Sequence, residues 1–240
     1  MQVPGVIACY SGKEMVKDEI GDLPCGWMVN SKDGSEMLSA PHPPLAVDTV
    51  NYVGEPFAIV IAESIEAARQ GVDAAAVEFE ELNPVVDLST AAQAEQLYEG
   101  IPNNRAYQWA LGDEEATRTA FAKASHVTSL ELSNNRLIPN AIEPRACLGA
   151  YDSSTGDYTL YTTSQNPHLE RLVLSAFVNI APEHKLRIIA PDVGGGFGSK
   201  IFIYPEETSV IWAAAKVGNR LSGSLSEERV FLQMLMAEIT

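Results

Sequence analysis

Apolar residues recur along this chain with two different periods, and the switches between them mark out the elements. Residues 57–62, Phe-Ala-Ile-Val-Ile-Ala, are a continuous apolar run of buried-strand length after the turn Gly54-Glu55-Pro56. Ser64 then stands where it can cap a helix, and Ile65, Ala68, Val72, Ala76 and Phe79 follow at steps of three and four. Residues 78–86 return as extended chain, broken by Asn83-Pro84. Strand, helix and strand in this order predict a βαβ unit whose right-handed crossover places both strands in one sheet. Upstream the pattern is weaker. Residues 3–10 predict a strand and residues 45–50 the start of another, with loop between them because Gly21, Pro24, Gly26, Gly34 and Pro41-His42-Pro43-Pro44 interrupt any period.

Residues 89–112 carry Ala, Gln, Asn and Gly without periodicity, and residues 99–112 are expected to link two domains, 1–98 and 113–240. In the second domain residues 114–124 predict a short helix. Residues 127–132 alternate like a half-buried strand, and residues 145–151 and 158–163 predict a hairpin with a long turn. Asn166-Pro167 caps and starts a helix, since proline lacks only an N–H that is unpaired there anyway. Its stripe of Leu169, Leu172, Val173, Ala176, Phe177 and Ile180 is the clearest helical signal in the chain. A strand over 186–190 follows. A helix from Pro205 then carries Val210, Ile211, Ala214 and Val217, with Gly218 as its C-cap, and the tail from Leu225 is expected to be helical. The fold class expected is mixed α/β (α+β).

Between the last strand and the Pro205 helix lies Pro191-Asp192-Val193-Gly194-Gly195-Gly196-Phe197-Gly198-Ser199-Lys200, four glycines around one aromatic residue. Glycine reaches φ > 0 cheaply and lets backbone N–H groups approach a bound group closely. Three readings compete. The dinucleotide fingerprint fails at Ser199 and lacks an acidic residue about 20 positions on, and the phosphate-loop pattern fails at Ser199 and Ile201. A ligand-free bend remains open. Gln165, just before the Pro167 helix, sits where helix N–H groups favour an anion, and its amide both donates and accepts, although Ser-Gln-Asn-Pro is also an ordinary capping sequence.

Composition mainly excludes. With 16 basic against 32 acidic residues the net charge is −16, which disfavours nucleic acid and anionic membranes, and 46% hydrophobic residues suffice for a sizeable core. Cys9, Cys25 and Cys147 are odd in number and widely spaced, so a reducing, cytoplasmic setting is expected. Cys147 reads as a small core residue rather than a nucleophile. His42, His126, His168 and His184 lack ligand spacing, so no protein metal site is expected. Glu143-Pro144-Arg145 reads equally as a structural ion pair or a substrate contact. No run approaches the ~18 apolar residues of a membrane span, and no leader is visible.

Residues 52–62 running on to 77–87, residues 163–168 and residues 192–200 together resemble the large, molybdenum-binding subunit of the xanthine dehydrogenase and aldehyde oxidase family, particularly its aerobic carbon monoxide dehydrogenase branch. The resemblance covers roughly residues 40–235 and lies in the order and separation of the three stretches as well as their residues. It implies a small α/β "hammerhead" domain followed by the first part of a molybdopterin-binding domain. The implied chemistry is oxidation of a small substrate, with water as the oxygen source, on a molybdenum-pterin (molybdopterin, in bacterial members often the cytosine dinucleotide form). Electrons then pass to [2Fe-2S] clusters and FAD on partner subunits. Gln165 is implied to hydrogen-bond toward the metal's oxygen ligands. Gly195, Gly196, Phe197 and Gly198 are implied to lie against the cofactor, with Phe197 shaping the substrate pocket.

There are departures. Ile201 stands where purine-oxidising members carry a glutamate, which shifts the expected substrate to carbon monoxide, an aldehyde or an N-heterocycle. Residues 219–224 lack the expected proline and basic residue. The family's catalytic glutamate and other pterin-binding segments are expected in a downstream part of the large subunit, beyond Thr240, so the chain is expected to be an N-terminal portion that is inactive alone. The alternative is a free-standing, non-catalytic interaction module that keeps the fold.

Overall fold

A computed structural model describes residues 3–224 and 233–239. Its contacts gather the chain into two compact units that are discontinuous in sequence. One comprises Met1–Gly26, Pro41–Pro84 and Pro139–Thr240, the other Trp27–Ala40 and Val85–Ile138.

The larger unit is built on a mixed sheet. Its strands are β1 (Val6–Ser11), β2 (Pro56–Ala62), β3 (Cys147–Asp152), β4 (Asp157–Thr162), β5 (Leu186–Ile189), β6 (Leu221–Ser224) and β7 (Gln233–Ile239). They lie in the order β1-β2-β7-β6-β3-β4-β5. The apolar run becomes β2, antiparallel to β1 and parallel to β7. The hairpin forms as expected, with Cys147 opposite Thr162 and Asp152 opposite Asp157. Parallel pairing of β4 with β5 sets Tyr158 beside Leu186 and Tyr161 beside Ile189. That register fixes where the chain leaves β4 toward Gln165 and where it leaves β5 toward the glycine loop.

Helices α1 (Gly12–Lys17), α2 (Ile65–Ala74), α4 (Pro167–Ala176) and α5 (Pro205–Val217) complete this unit. Ser64 caps α2, its hydroxyl accepting from the Ala67 N–H at 3.2 Å. Residues 205 and 207–214 of α5 are all buried, polar Glu207, Thr208 and Ser209 among them, so it is packed on nearly every side, and it ends on Gly218 with φ +67. The helix lies close over β3 because Gly149 has no side chain: a β-carbon there would sit 2.9 Å from the Ile211 Cα and from the Val210 carbonyl oxygen. Ile59, Ile61, Leu160, Leu174, Val178, Val210, Ile211 and Leu221 form the centre of the core.

The smaller unit holds α3 (Glu114–Lys123), capped by Asp113, which accepts from the Ala116 N–H at 2.8 Å. Asn104 ties its irregular segments together, accepting from the Leu97 N–H and donating to the Ala91 and Glu95 carbonyls.

Four expectations are corrected. Residues 78–86 form no strand, and the parallel neighbour of β2 is β7 instead. Glu78, Glu80 and Glu81 are exposed there, and a strand buried on both faces has no room for three carboxylates. Residues 45–50 are not a strand, although Leu45 and Ala46 are buried. Residues 127–132 are likewise not a strand. Leu130 and Leu132 are exposed, and alternation without a pairing partner among the described residues does not make a ladder. Of the tail expected to be helical, residues 233–239 form β7, and residues 225–232 and 240 lie outside the described residues. The stretch 99–112 falls within the smaller unit.

Candidate functional site

The stripe on α4 faces differently from the expectation, and this shapes the site. Leu169, Leu172 and Phe177 are exposed, whereas Glu170, Leu174 and Val178 are buried. The inward face is therefore the one that carries a carboxyl group. Gln165 is exposed in the turn that joins β4 to α4. Its backbone N–H donates to the Lys200 carbonyl at 2.8 Å, which fastens this turn to the end of the glycine loop.

The Gln165 side chain completes the junction. Its Oε1 accepts from the Gly198 N–H at 3.0 Å and from the Lys200 N–H at 3.3 Å. Because backbone N–H groups only donate, these two bonds fix which end of the amide faces the loop. The NH2 group is left with no protein acceptor among the described residues. Gly196 is required here, since a β-carbon on it would lie 2.2 Å from Gln165 Oε1.

The loop backbone is held in uncommon conformations. Gly195 has φ +92, Phe197 φ +50 and Gly198 φ +85. For phenylalanine the left-handed region costs on the order of 1–2 kcal/mol, strain that persists only where the surroundings impose it. The surroundings are the bonds from Gly198 and Lys200 to Gln165 on one side and a carboxylate clamp on the other. The N–H groups of Gly196 and Phe197 have no acceptor among the described residues, and the Phe197 ring is exposed.

The clamp is Glu143. Its Oε2 accepts from the Gly194 N–H at 2.7 Å and from Lys200 Nζ at 2.8 Å, and its backbone carbonyl accepts from the same Nζ at 2.9 Å. Lys200 is 3% exposed, so its ammonium is desolvated and satisfied by these partners. The ammonium, and secondarily the Gly194 N–H, hold the Glu143 carboxyl below its ordinary range. Arg145 is committed elsewhere, 3.3 Å from Glu206 and 3.5 Å above the Tyr204 ring centre. Both charges of Glu143-Pro144-Arg145 are thus structural, each paired across the fold rather than with the other.

Two further acids lie behind this surface, Glu170 in the first turn of α4 and Glu207 in the first turn of α5. Glu207 Oε2 caps α5 by accepting from the Tyr204 N–H at 2.7 Å, and its Oε1 accepts from the Thr162 hydroxyl at 3.3 Å. Burial pushes the Glu170 carboxyl up to about 7. Burial, reinforced by the neighbouring Glu170, pushes Glu207 up to about 8. Cys147 is buried, and desolvation beside these acids drives its thiol well above the usual range, so it stays protonated. No group of His, Cys, Asp and Glu among the described residues is arranged to hold a metal ion directly.

Gln165, Gly195, Gly196, Phe197 and Gly198 are therefore brought together. What results is a surface with one amide NH2 and two adjacent backbone N–H groups that have no acceptor among the described residues, next to the N-terminus of α4. All of these are donor or positive features, so the surface suits an anionic group with exposed oxygen atoms. Reasoning from sequence singled out Glu143 but not its partner Lys200, and it missed Glu170 and Glu207. Of the two missed acids, Glu207 carried a signal, as the acid three residues into a helix that follows an extended residue and a proline.

Residues 97–234 match the family of the molybdopterin cofactor-binding domain. The chain is 36% identical over 188 residues to the carbon monoxide dehydrogenase large chain of Hydrogenophaga pseudoflava, covering 72% of this chain and 23% of that one. It is 33% identical over 211 residues to the nicotine 6-hydroxylase large subunit of Paenarthrobacter nicotinovorans, covering 82% of this chain and 25% of that one. Among solved structures, reconstituted CO dehydrogenase from Oligotropha carboxidovorans superposes with a TM-score of 0.78 at 26% identity, over 99% of this chain and 28% of that one. The chain spans about a quarter of the length of these relatives.

Proposed function

Because the chain belongs to the molybdopterin cofactor-binding domain family, found in large subunits of xanthine-dehydrogenase-type molybdenum hydroxylases, we propose that it forms one wall of a molybdenum-pterin site in such a subunit. The observation that carries this reading is the double acceptance by Gln165 Oε1, which turns a fixed amide NH2 outward beside the glycine loop.

The residues present fit an anionic cofactor. Gln165 offers its NH2 as donor. Gly195, Gly196 and Gly198 let the backbone approach, and the N–H groups of Gly196 and Phe197, without an acceptor among the described residues, are available to the same ligand. When bound, the molybdenum-pterin, as molybdopterin or its cytosine dinucleotide form, supplies two-electron oxidation of a carbon with water as the oxygen source. The chain's own contribution is to bind and orient. The Glu143–Lys200 clamp keeps the loop in its strained shape before a ligand arrives, so no ordering is needed on binding. The exposed Phe197 ring forms one side of the substrate pocket. Ile201, which carries no charge, favours carbon monoxide, an aldehyde or an N-heterocycle over a purine.

In this reading residues 1–98 make up the hammerhead domain and residues 113–240 the first part of the molybdopterin-binding domain. A downstream part of the large subunit brings the general base. A [2Fe-2S] subunit and an FAD-binding subunit carry electrons away, in the cytoplasm.

The test is reconstitution. The complete large subunit is co-expressed with its iron–sulfur and FAD partners and its molybdenum content measured. Near-stoichiometric metal, and loss of at least half of it in Gln165→Ala with the fold intact, is the expected result. A correctly folded complex that never takes up molybdenum sinks the proposal.

A further inference from the structure

One face of the large sheet is closed over part of its width and open over the rest. The strand registers put Ala62, Leu148, Tyr161 and Ile189 in one row, and therefore on one face. Over β1 and β2 that face is closed by α2. Ala62 and Ala68 are buried together there, and a β-carbon on Gly71 would come 2.8 Å from the Val6 and Val60 side chains. Over β3, β4 and β5 the same face is open: Leu148, Ala150, Thr159 and Ile189 are only half-buried, and Tyr161 is 42% exposed. On the reverse face of these strands Cys147, Leu160 and Leu186 lie in the core with α4 and α5. A parallel pair such as β4 and β5 is ordinarily covered on both faces, so the open side has the character of a surface that receives something.

Two arginines flank the opening at one level. Ala150 pairs with Thr159 and Thr159 with Arg187, while Arg220, the residue before β6, continues the β3–β6 register to the other side of Ala150. All four line one shallow cavity of about 660 Å³. Both arginines are exposed, and neither has an acid within ion-pair distance among the described residues. The acids of the same face are committed to the hairpin turn. Asp157 pairs with Lys185 at 3.0 Å, and Asp152 accepts from the Ser154 N–H at 2.9 Å and from its hydroxyl at 2.6 Å.

We propose that this half of the face docks an amphipathic helix of a partner polypeptide that carries one acid on each flank, in the order acid, apolar, acid. Three strand spacings separate Arg220 from Arg187, roughly 14 Å, and a helix with its side chains is about 10–12 Å across. Such a helix lies over the small Ala150 and Thr159 with one guanidinium on either side. Successive helical residues turn by about 100°, so two acids flanking an apolar residue that points down at the sheet project to opposite sides. The six residues each of β3 and β4 span about 20 Å, the length of about 13 helical residues. Leu148, Tyr161 and Ile189 supply the apolar contact. The arginines supply selection, because a helix with basic flanks, or with both acids on one side, leaves a guanidinium without its counter-charge. None of these residues touches Gln165 or the glycine loop, so the inference is independent of the molybdenum-pterin reading.

The test uses the full chain and a stapled helical peptide of about 16 residues, with leucines along one face and Glu-Leu-Glu at its centre. Fluorescence anisotropy gives the Kd, and nuclear magnetic resonance shifts are expected to gather on Leu148, Ala150, Thr159, Tyr161 and Arg187. A peptide of the same composition with both glutamates on one flank is expected to bind roughly three- to tenfold more weakly. Arg187→Glu and Arg220→Glu change exposed positions and leave the fold intact, and each is expected to weaken the Glu-Leu-Glu peptide by about tenfold or more. Added salt weakens binding to wild type more than to the double Arg→Ala variant. No binding of the Glu-Leu-Glu peptide, equal binding of the two acid arrangements, indifference to both arginine reversals, or shifts gathered elsewhere overturns the inference. A dimer of the chain that Arg187→Glu dissolves also overturns it, since the face then belongs to a second copy.

Discussion

The side-chain carbonyl of Gln165 fills the space that a β-carbon on Gly196 would need, with Oε1 2.2 Å, Cδ 2.5 Å and Cγ 2.7 Å from that position. No rotation of the amide tip alone clears three atoms. An alanine at 196 must therefore push Gln165 off the Gly198 and Lys200 N–H groups, at an overpacking cost of about 1–3 kcal/mol. Gly196→Ala is expected to lower the denaturation free energy by that amount. Gly196→Ala with Gln165→Ala loses clearly less than the sum of the single changes, with a coupling of about 1 kcal/mol or more. Strict additivity in a denaturant double-mutant cycle refutes the contact.

Lys200 and Glu143 form the second brace of the loop. Removing the ammonium in Lys200→Met leaves the Glu143 carboxylate with only the Gly194 N–H, whereas Glu143→Gln leaves an ammonium at 3% exposure with neutral acceptors and no counter-charge. Glu143→Gln should therefore lower the unfolding midpoint more than Lys200→Met, and the double change should fall short of the combined losses. Equal and additive losses in thermal melts would argue that the clamp is a surface pair of no consequence.

Much of this was legible in the sequence, for physical reasons that differ by element. Residues 57–62 and the hairpin over 147–162 announced themselves because burial on one or both faces of a strand leaves a local pattern. Ser64 and Gly218 marked helix ends because capping is a local hydrogen-bond need. The placement of β7 beside β2 was not legible, since parallel pairing across more than 170 residues leaves no local trace. The Glu143–Lys200 clamp and the buried acids Glu170 and Glu207 were hidden for a related reason. An acid in an apolar stripe reads as the solvent side of a helix, and only the tertiary contacts turn it inward.

The buried acids set the sign of the pH dependence. Each is raised from its ordinary 4.5, Glu170 to about 7 and Glu207 to about 8. Between those limits the native state keeps protons that the unfolded chain has released. Stability is therefore fully present below pH 4.5, falls as pH rises through the native values, and levels off above about 8. Glu170→Gln removes the Glu170 share of this penalty, while Glu207 keeps the part that comes from its own burial. Its stability relative to wild type should grow between pH 5 and pH 8 by on the order of 3 kcal/mol. Urea denaturation at several pH values makes the comparison, and parallel curves for the two proteins contradict it.

Asp18, at the end of α1, holds α5 in place from the far side of the core. Its Oδ2 accepts from the indole N–H of Trp212 at 2.9 Å and pairs with Lys216 at 2.6 Å, bonds that hold its carboxyl below the ordinary aspartate range. Trp212 is 4% exposed, so its N–H has no easy access to water once that acceptor is gone. Asp18→Ala is expected to cost about 1–3 kcal/mol, the penalty for a buried donor left unpaired. Asp18→Asn should cost less, because its amide oxygen still accepts from the indole while the partly exposed Lys216 turns to solvent. Tryptophan fluorescence is the natural probe: Trp27 and Trp109 are already exposed at 83% and 58%, so the unfolding signal comes mainly from Trp212. If alanine and asparagine are equally stable, the indole bond contributes nothing, and α5 is held over β3 by apolar packing alone.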